Sequence, residues 1–216
     1  MKEYPYERYL RDTRIMMIFE GTNEILRMFI SLMGIQHAGV ELKDVVKKIR
    51  NPFLNPGFAL KFILQDARHR RDSPSMNLQL SGFVHPSLKL SADQLEYCIL
   101  RLQYGVRLAL QRHGKDIVNA QLELQRLADC AIHIYAAFSS LSRASRSYCI
   151  GLHNAEYELN LANAIAINTH NFVKSKINEI SLGEFGTLDS AYMAIGNKVF
   201  EKGGYFAAHP LTKNFV

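Results

Sequence analysis

Apolar residues recur every three or four positions along most of this chain, which predicts helices almost throughout. The clearest signal is Ile117, Ala120, Leu124, Leu127, Ala131, Ile134, Phe138 and Leu141, a 3-4-3-4 spacing sustained for about three and a half heptads. In a chain of this size the seam predicts the inner stripe of an antiparallel bundle. Before it, Leu95, Leu102, Val106 and Leu110 mark one face that ends at His113-Gly114, and Ser91 with Gln94 reads as a capping box. Ser139, Ser140, Ser142, Ala144, Ser145 and Ser147 make a small, polar helix end that lets another element approach closely. Arg143 and Arg146 flank it, as solvated charges or as partners for acids. Asn154 to Ile180 places Leu159, Ala162, Ala166, Phe172, Val173 and Ile177 on apolar positions. Gly183 to Gly186 breaks the pattern, Leu188 to Phe200 resumes it, and Gly203-Gly204 ends it. His209-Pro210 and the tail read as extended. Strand patterns are hard to find anywhere, and no internal repeat is detected. The expected fold class is all-α.

The first third is less regular. Ile25, Met28, Phe29, Leu32 and Met33 follow helical spacing behind Phe19-Glu20-Gly21-Thr22-Asn23-Glu24. Gly21 or Thr22 can cap that helix, and Glu24 falls in its first turn, where negative charge suits the dipole. Pro52, Pro56 and Gly57 break the chain, and a further helix is expected to start near Pro56. There Lys61, Gln65, Arg68 and Asp72 share a polar stripe, opposite Phe58, Ala59, Phe62 and Ile63, with Asp66 interrupting the apolar face. Residues 73–92 read as a connector. These divisions predict three segments: 1–44, 45–90 and 91–216.

Charge sharpens the reading of the middle segment. The chain has 216 residues, 48% of them hydrophobic, and a formal net charge of +6. Residues 45–71 hold Lys47, Lys48, Arg50, Lys61, Arg68, Arg70 and Arg71 against Asp66 alone, so this stretch carries the whole excess. A basic amphipathic stretch rich in Phe and Leu reads as a membrane-surface element. The bland alternative is a helix packed on the protein with its charges in water. Nucleic acid ranks below both, because the cations are not interleaved with stacking aromatics and no binding motif is present. No 18-residue apolar run is free of charge, so no transmembrane helix is expected. Cys98, Cys130 and Cys149 form no C-x-x-C pair and read as core residues. The eight histidines show no metal-ligand pattern, and no metal is assigned.

Candidate chemistry centres on Glu20. It lies just before a helix mouth, on a turn made flexible by Gly21. A carboxylate there can be aimed into a cleft, and in an apolar pocket it can serve as a general base. By composition alone, a Glu beside a helix start is more often a cap or a solvated charge. The runs Tyr4-Pro5-Tyr6-Glu7-Arg8, Leu10-Arg11-Asp12-Thr13-Arg14-Ile15 and Phe19-Glu20-Gly21-Thr22-Asn23-Glu24-Ile25 change that weighting. Together they resemble the C-terminal part of mitochondrial acyl-CoA dehydrogenases. Asn51-Pro52-Phe53, Gln125-Arg126-Leu127-Ala128-Asp129 and Leu141-Ser142-Arg143-Ala144-Ser145-Arg146-Ser147 resemble the very-long-chain subgroup. Tyr4 to Arg8 with Ile35-Gln36-His37-Ala38-Gly39 is more similar to its family-member-9 branch. The resemblance covers nearly the whole chain.

It implies the end of a dehydrogenase C-terminal helical bundle, followed by a second helical-bundle domain. It implies Glu20 as catalytic base, Phe19 and Gly21 as substrate-side neighbours, and Thr22, Asn23 and Glu24 near FAD. The implied partners are a fatty acyl-CoA, electron-transfer flavoprotein, a second subunit in a full-length homodimer, and the inner mitochondrial membrane through residues 45–71, on the matrix side. Family enzymes are about three times as long, and Met1 falls inside their polypeptide with no transit peptide before it. The expectation is therefore a C-terminal fragment or incomplete product that is inactive alone. A non-catalytic helical membrane-docking or interaction domain, with a role in respiratory complex I assembly, is the alternative.

Overall fold

A computed structural model describes residues 4–50 and 54–211. Among the described residues there are eight α-helices and no strand, so the all-α expectation is borne out. The helices are α1 (Tyr6–Thr13), α2 (Asn23–Arg50), α3 (Pro56–Arg70), α4 (Lys89–His113), α5 (Gln121–Cys149), α6 (Ala155–Leu182), α7 (Glu184–Thr187) and α8 (Asp189–Lys202). The chain divides into two compact units, Met1–Ser181 and Leu182–Val216. The boundaries expected near residues 44 and 90 fall inside the first. Pro52 and Phe53, and the side chains of Lys47 and Arg50, lie outside the described residues, as does the tail beyond Leu211.

The core of the first unit is built from α4, α5 and α6, with α2 laid along α5. α5 runs antiparallel to its neighbours: Asp129 and Leu124 of α5 meet Arg27 and Ser31 of α2, and Glu123 meets Arg112 of α4. Helix propensity alone leaves such elements marginal, and burial of Leu95, Leu127, Ile134, Leu141, Val173, Ile177 and Ile180 stabilises them. Gly105 lets α4 and α6 approach, since a Cβ there would stand 2.6 Å from Ile177 Cδ1. The predicted seam is shorter than it read. Ile117 belongs to a separate 3-10 turn, Gly114–Asn119, and α5 starts only at Gln121. Phe138 is 54% exposed, while Ala137 is buried in its place. A straight helix has 3.6 residues per turn, so a strict 3.5 repeat slides off the buried stripe.

Three other expectations need correction. Ser91 is no cap. α4 begins earlier, behind a 3-10 turn Pro86–Leu88 whose start is held by the Ser87 N–H donating to His85 Nδ1. Ser91 is buried inside the helix and donates to Asn163 Oδ1 at 2.6 Å. The connector is not a loose tether. Glu96, 2% exposed, accepts the N–H groups of Leu78 at 2.8 Å and Leu80 at 3.1 Å, and Ser145 accepts from the His85 N–H. Cys149 is exposed; only Cys98 and Cys130 are buried, and burial pushes both thiols up to about 12.

α3 also turns differently from its helical-wheel reading. Phe58 and Phe62 face inward, but Ile63 is exposed together with Leu60 and Leu64. Asp66 does not spoil the inner face, because it pairs with Arg107 of α4 and with Arg70 at 2.8 Å. Asp72 lies beyond the helix in left-handed backbone (φ 56°), off the predicted stripe. It anchors a buried polar knot. Arg101, 1% exposed, donates to the His69 carbonyl at 2.6 Å and to Asn178 Oδ1 at 2.9 Å, and its Nε sits 3.3 Å from Asp72 Oδ1. Asp72 also accepts from the Tyr97 hydroxyl and pairs with Lys174 at 2.9 Å. Arg143 pairs with Glu158 at 3.0 Å, one of the two roles open to it. In the second unit, Leu188 opens α8 in left-handed backbone and Gly203 closes it in the same region, where glycine carries no Cβ penalty.

Removing the acid from that knot tests its weight. Asp72→Ala leaves Arg101 buried without its counter-ion and is expected to lower stability by about 3 kcal/mol, read from urea denaturation. A loss under about 0.5 kcal/mol would place the knot among the weak surface pairs. Burial opposes charge on Asp72, but the Tyr97 and Lys174 bonds and the Arg101 charge outweigh it and hold its carboxyl below the ordinary value of 3.8. Its contribution is therefore present above 3.8 and lost as pH falls below that. Burial, then the Arg107 and Arg101 charges, lowers His69 from 6.5. The unfolded chain thus takes up this proton first, and stability is expected to fall as pH drops below 6.5. His69→Phe should flatten that part of the curve.

Candidate functional site

The stretch around Glu20 is built by a sharp exit from one short helix into a long one. α1 continues into a 3-10 turn, Arg14–Met17, and a turn over residues 18–21 leads into α2. Glu20 (φ 58°) and Gly21 (φ 115°) both have positive φ, the left-handed side of backbone space. For Gly21 this costs little. For Glu20, an ordinary L-residue, it costs on the order of 1 kcal/mol or more, and such strain clusters where geometry serves function. A Cβ on Gly21 would meet Leu26 Cδ2 at 3.4 Å, which adds crowding to an unfavourable φ.

Of the two possible caps, Thr22 is the one used. Its hydroxyl accepts the Ile25 N–H at 3.4 Å and its carbonyl the Leu26 N–H at 3.0 Å. Asn23 is the first residue of α2, and its carbonyl accepts from Arg27 Nη1 at 3.2 Å. Glu24, in the first turn, borders a small cleft of about 220 Å3 with Ile25, Met28 and, from α5, Gln121, Leu122 and Gln125. Phe19 is half exposed and Glu20 is exposed. The structure thus gathers all six expected site residues at one helix mouth. The apolar pocket envisaged around Glu20 is not formed by the described residues of this chain; the carboxyl group stands on the surface, amid exposed Ile15, Met17, Ile18, Phe19 and Ile25.

Two residues outside the expected set prove central to this geometry. Arg27 Nε donates to Asp129 Oδ1 at 2.6 Å while its Nη1 holds the Asn23 carbonyl. One guanidinium therefore ties the first turn of α2 to the middle of α5. One turn later, the buried Ser31 hydroxyl donates to the Leu124 carbonyl. An acid beside a buried seam was visible at Asp129, but its partner stands 102 positions away and nothing local pairs them.

A flavin would need polar groups at this mouth. The residues present fit one edge of such a site: the first N–H groups of a helix lack intrahelical acceptors, and Thr22, Asn23 and Glu24 stand side by side there. They are an edge and not an enclosure. Among the described residues no group of three or more His, Cys, Asp or Glu could hold a metal ion. No described helix is long and apolar enough to cross a membrane.

Residues 86–205 match the family model "ACAD9/ACADV, C-terminal domain", and residues 1–32 match "Acyl-CoA dehydrogenase, C-terminal domain". The chain is 38% identical over 212 residues to the very long-chain specific acyl-CoA dehydrogenase, mitochondrial, of Bos taurus, covering 98% of this chain and 32% of that protein. The Homo sapiens protein of the same name gives 38% over the same span, with the same coverage. An acyl-CoA dehydrogenase of Bacillus subtilis is 61% identical over 31 residues, 14% of this chain and 8% of that protein. The chain spans about a third of the length of the mitochondrial relatives it matches. By its helical architecture, its helix-mouth motif and these matches, the chain belongs to the ACAD9/ACADV C-terminal domain family of acyl-CoA dehydrogenases.

Proposed function

We propose that this chain is the base-bearing C-terminal part of a flavin-dependent, very-long-chain-type acyl-CoA dehydrogenase of mitochondrial fatty acid β-oxidation. The observation that carries the reading is Glu20, held in strained left-handed backbone at the mouth of α2, within the segment that matches the dehydrogenase model. The substrate is a fatty acyl-CoA thioester. Its α-proton is only weakly acidic, so the base must touch it in a site from which water is excluded. Glu20 takes that proton. The electron pair of the broken Cα–H bond becomes the new Cα=Cβ bond, the β-hydrogen leaves as hydride, and the product is the trans-2-enoyl thioester. FAD, when bound, supplies the hydride acceptor. Phe19 and Gly21 border the substrate, and Thr22, Asn23 and Glu24 face the flavin. Rigidity comes from behind: Arg27 and Ser31 lock α2 to α5, so the strained turn projects from a fixed base. The same reading includes a homodimer, with electrons passed to electron-transfer flavoprotein.

A second element of the proposal is association with the matrix face of the inner mitochondrial membrane. It rests on α3, whose outer side presents Leu60, Ile63 and Leu64 together with Lys61, Arg68 and Arg71, all exposed. Apolar contact and positive charge together anchor better than either alone.

In a protein that carries this chain with its flavin site, Glu20→Gln is expected to lower kcat with palmitoyl-CoA about 10^3-fold and to leave flavin absorbance unchanged. Near-normal turnover would assign the base elsewhere. For the strut behind it, a double-mutant cycle of Arg27→Ala and Asp129→Ala should give a coupling of about 1 kcal/mol in urea unfolding, with faster amide exchange at Asn23 to Leu26 in each single variant. A coupling near zero would remove Arg27 from the positioning role. Cardiolipin liposomes should retain the chain at low salt and release much of it at about 0.5 M, as charges are screened. Leu60→Ser, Ile63→Ser and Leu64→Ser combined should weaken retention even at low salt. Equal binding to neutral liposomes would rule out the basic surface as the anchor.

A further inference from the structure

Ser73 stands where the end of α3 gives way to irregular backbone. Its neighbours are engaged: Asp72 faces Arg101 in the buried knot, and the His69 carbonyl accepts from the same guanidinium. Ser73 itself is exposed. Its N–H donates to the Arg68 carbonyl at 3.0 Å, but its hydroxyl has no hydrogen-bond partner among the described residues. Residues 73–77 have no regular structure. Pro74 follows, and of the six prolines in the chain it alone is preceded by serine or threonine. A proline pushes the residue before it toward extended backbone and offers no N–H of its own. A free hydroxyl on an accessible, irregular Ser-Pro step is the form of substrate that proline-directed serine kinases take.

Other serines beside cations are occupied. Ser145 and Ser147 flank Arg146 within α5; Ser145 accepts the His85 N–H, and the buried Ser147 donates to Glu158 at 2.6 Å. Ser75 accepts from Arg68 Nη1. That last bond shows what surrounds Ser73. The Arg68 side chain reaches Ser75, two residues beyond, so its guanidinium already lies along this stretch. Arg71 is exposed, two positions before Ser73, and pairs with no acid among the described residues. Phosphoserine carries roughly −1.5 to −2 charges at pH 7 with three strong acceptor oxygens, and arginines take such a group by charge-assisted hydrogen bonds. Arg68 and Arg71 also belong, with Lys61, to the exposed outer side of α3. A phosphate here therefore removes most of the positive charge that these three residues give that side.

We propose that Ser73 is a phosphorylation site for a proline-directed serine kinase, and that its phosphate pairs with Arg68 and Arg71 and cancels the basic outer side of α3. In the transfer, the Ser73 oxygen attacks the γ-phosphorus of ATP, the bond from that phosphorus to ADP breaks, and the hydroxyl proton passes to the base of the kinase. The consequence is release of α3 from an anionic bilayer. That consequence rests on the membrane reading above, whereas the modification site does not.

The test incubates the 216-residue chain with MgATP and a mitogen-activated-type serine kinase, and maps the phosphate by fragmentation mass spectrometry. Phosphate on Ser73 is expected, lost in Ser73→Ala and kept in Ser75→Ala. No phosphate on Ser73, or equal incorporation into Ser73→Ala, overturns the site. Phosphorus NMR of the phosphorylated chain reads the arginine contacts. The second ionisation of the phosphate is expected below its ordinary value of about 6, and Arg68→Ala should raise it. An ordinary value that does not respond to Arg68→Ala overturns the pairing. Vesicles of phosphatidylcholine and cardiolipin at low salt read the consequence. The unmodified chain should be retained, and the phosphorylated chain should bind about tenfold more weakly. Equal retention of the two forms overturns the release and keeps the membrane reading. No retention of the unmodified chain removes the membrane reading and the release with it, while phosphate mapped to Ser73 still supports the site.

Discussion

The first unit depends on one desolvated charge. Arg101 is buried to 1% exposure in the middle of α4, and a guanidinium there needs a counter-ion and hydrogen bonds: both terminal nitrogens are bonded, and Nε faces Asp72 as an ion pair without a hydrogen bond of its own. Those requirements explain the surroundings. The counter-ion, Asp72, must come from the chain just past α3, so the helix has to end at Arg70 and the backbone has to turn through a left-handed residue. The His69 carbonyl must face inward to accept, which fixes the last turn of α3. Asn178 must sit opposite, which sets the register of α6 against α4. One side chain thus joins three helices that apolar burial alone would leave free to slide, since Leu, Ile and Ala contacts specify proximity better than register.

The sequence discloses the long helices because their burial is one-sided and sustained. Leu124, Leu127, Ile134 and Leu141 could be read as one stripe from spacing alone, and so could Leu159, Ala162, Ala166, Val173 and Ile177. It misleads where a local signal has a longer-range competitor. Ser91 looks like a cap until His85 and Pro86 start the helix ahead of it. Asp66 looks like a flaw in an apolar face until Arg107 arrives from α4. Residues 73–92 look like a tether because their polar contacts are backbone N–H groups, which sequence does not display; Glu96 and Ser145 collect them. For Asp66 and for residues 73–92 the decisive partner is 15 or more residues away and is chosen by packing.

The helix mouth shows the same division. Gly21 and Thr22 announce a turn and a cap, and the motif around Glu20 was legible as a motif. The φ of Glu20 was not, because nothing in a side chain's identity says that its own backbone will be held in a region it disfavours. That conformation persists only if neighbours over-determine it. Part of the constraint lies in this chain: the cap at Thr22 and the Arg27 link to Asp129. α5 is therefore not an appendage to the motif helix. It supplies the carboxylate and the carbonyl that stop α2 from rotating about its own axis.

α2 serves three neighbours with different stretches of one helix, and the order of its residues reflects this. Its first turn carries polar groups and an acid at the mouth. The next turns carry Arg27, Ser31 and Ile35, which lock it to α5 and the core. From Gly34 onward small residues open a space where larger ones would have closed it. Around the mouth, by contrast, Ile15, Met17, Ile18, Phe19, Ile25 and Phe29 stay in water. Exposed apolar side chains in such number beside one motif suit a contact face. A general base acting on a weakly acidic carbon needs water excluded, so the surface that makes this helix mouth unfavourable when bare is also what would make it dry when covered.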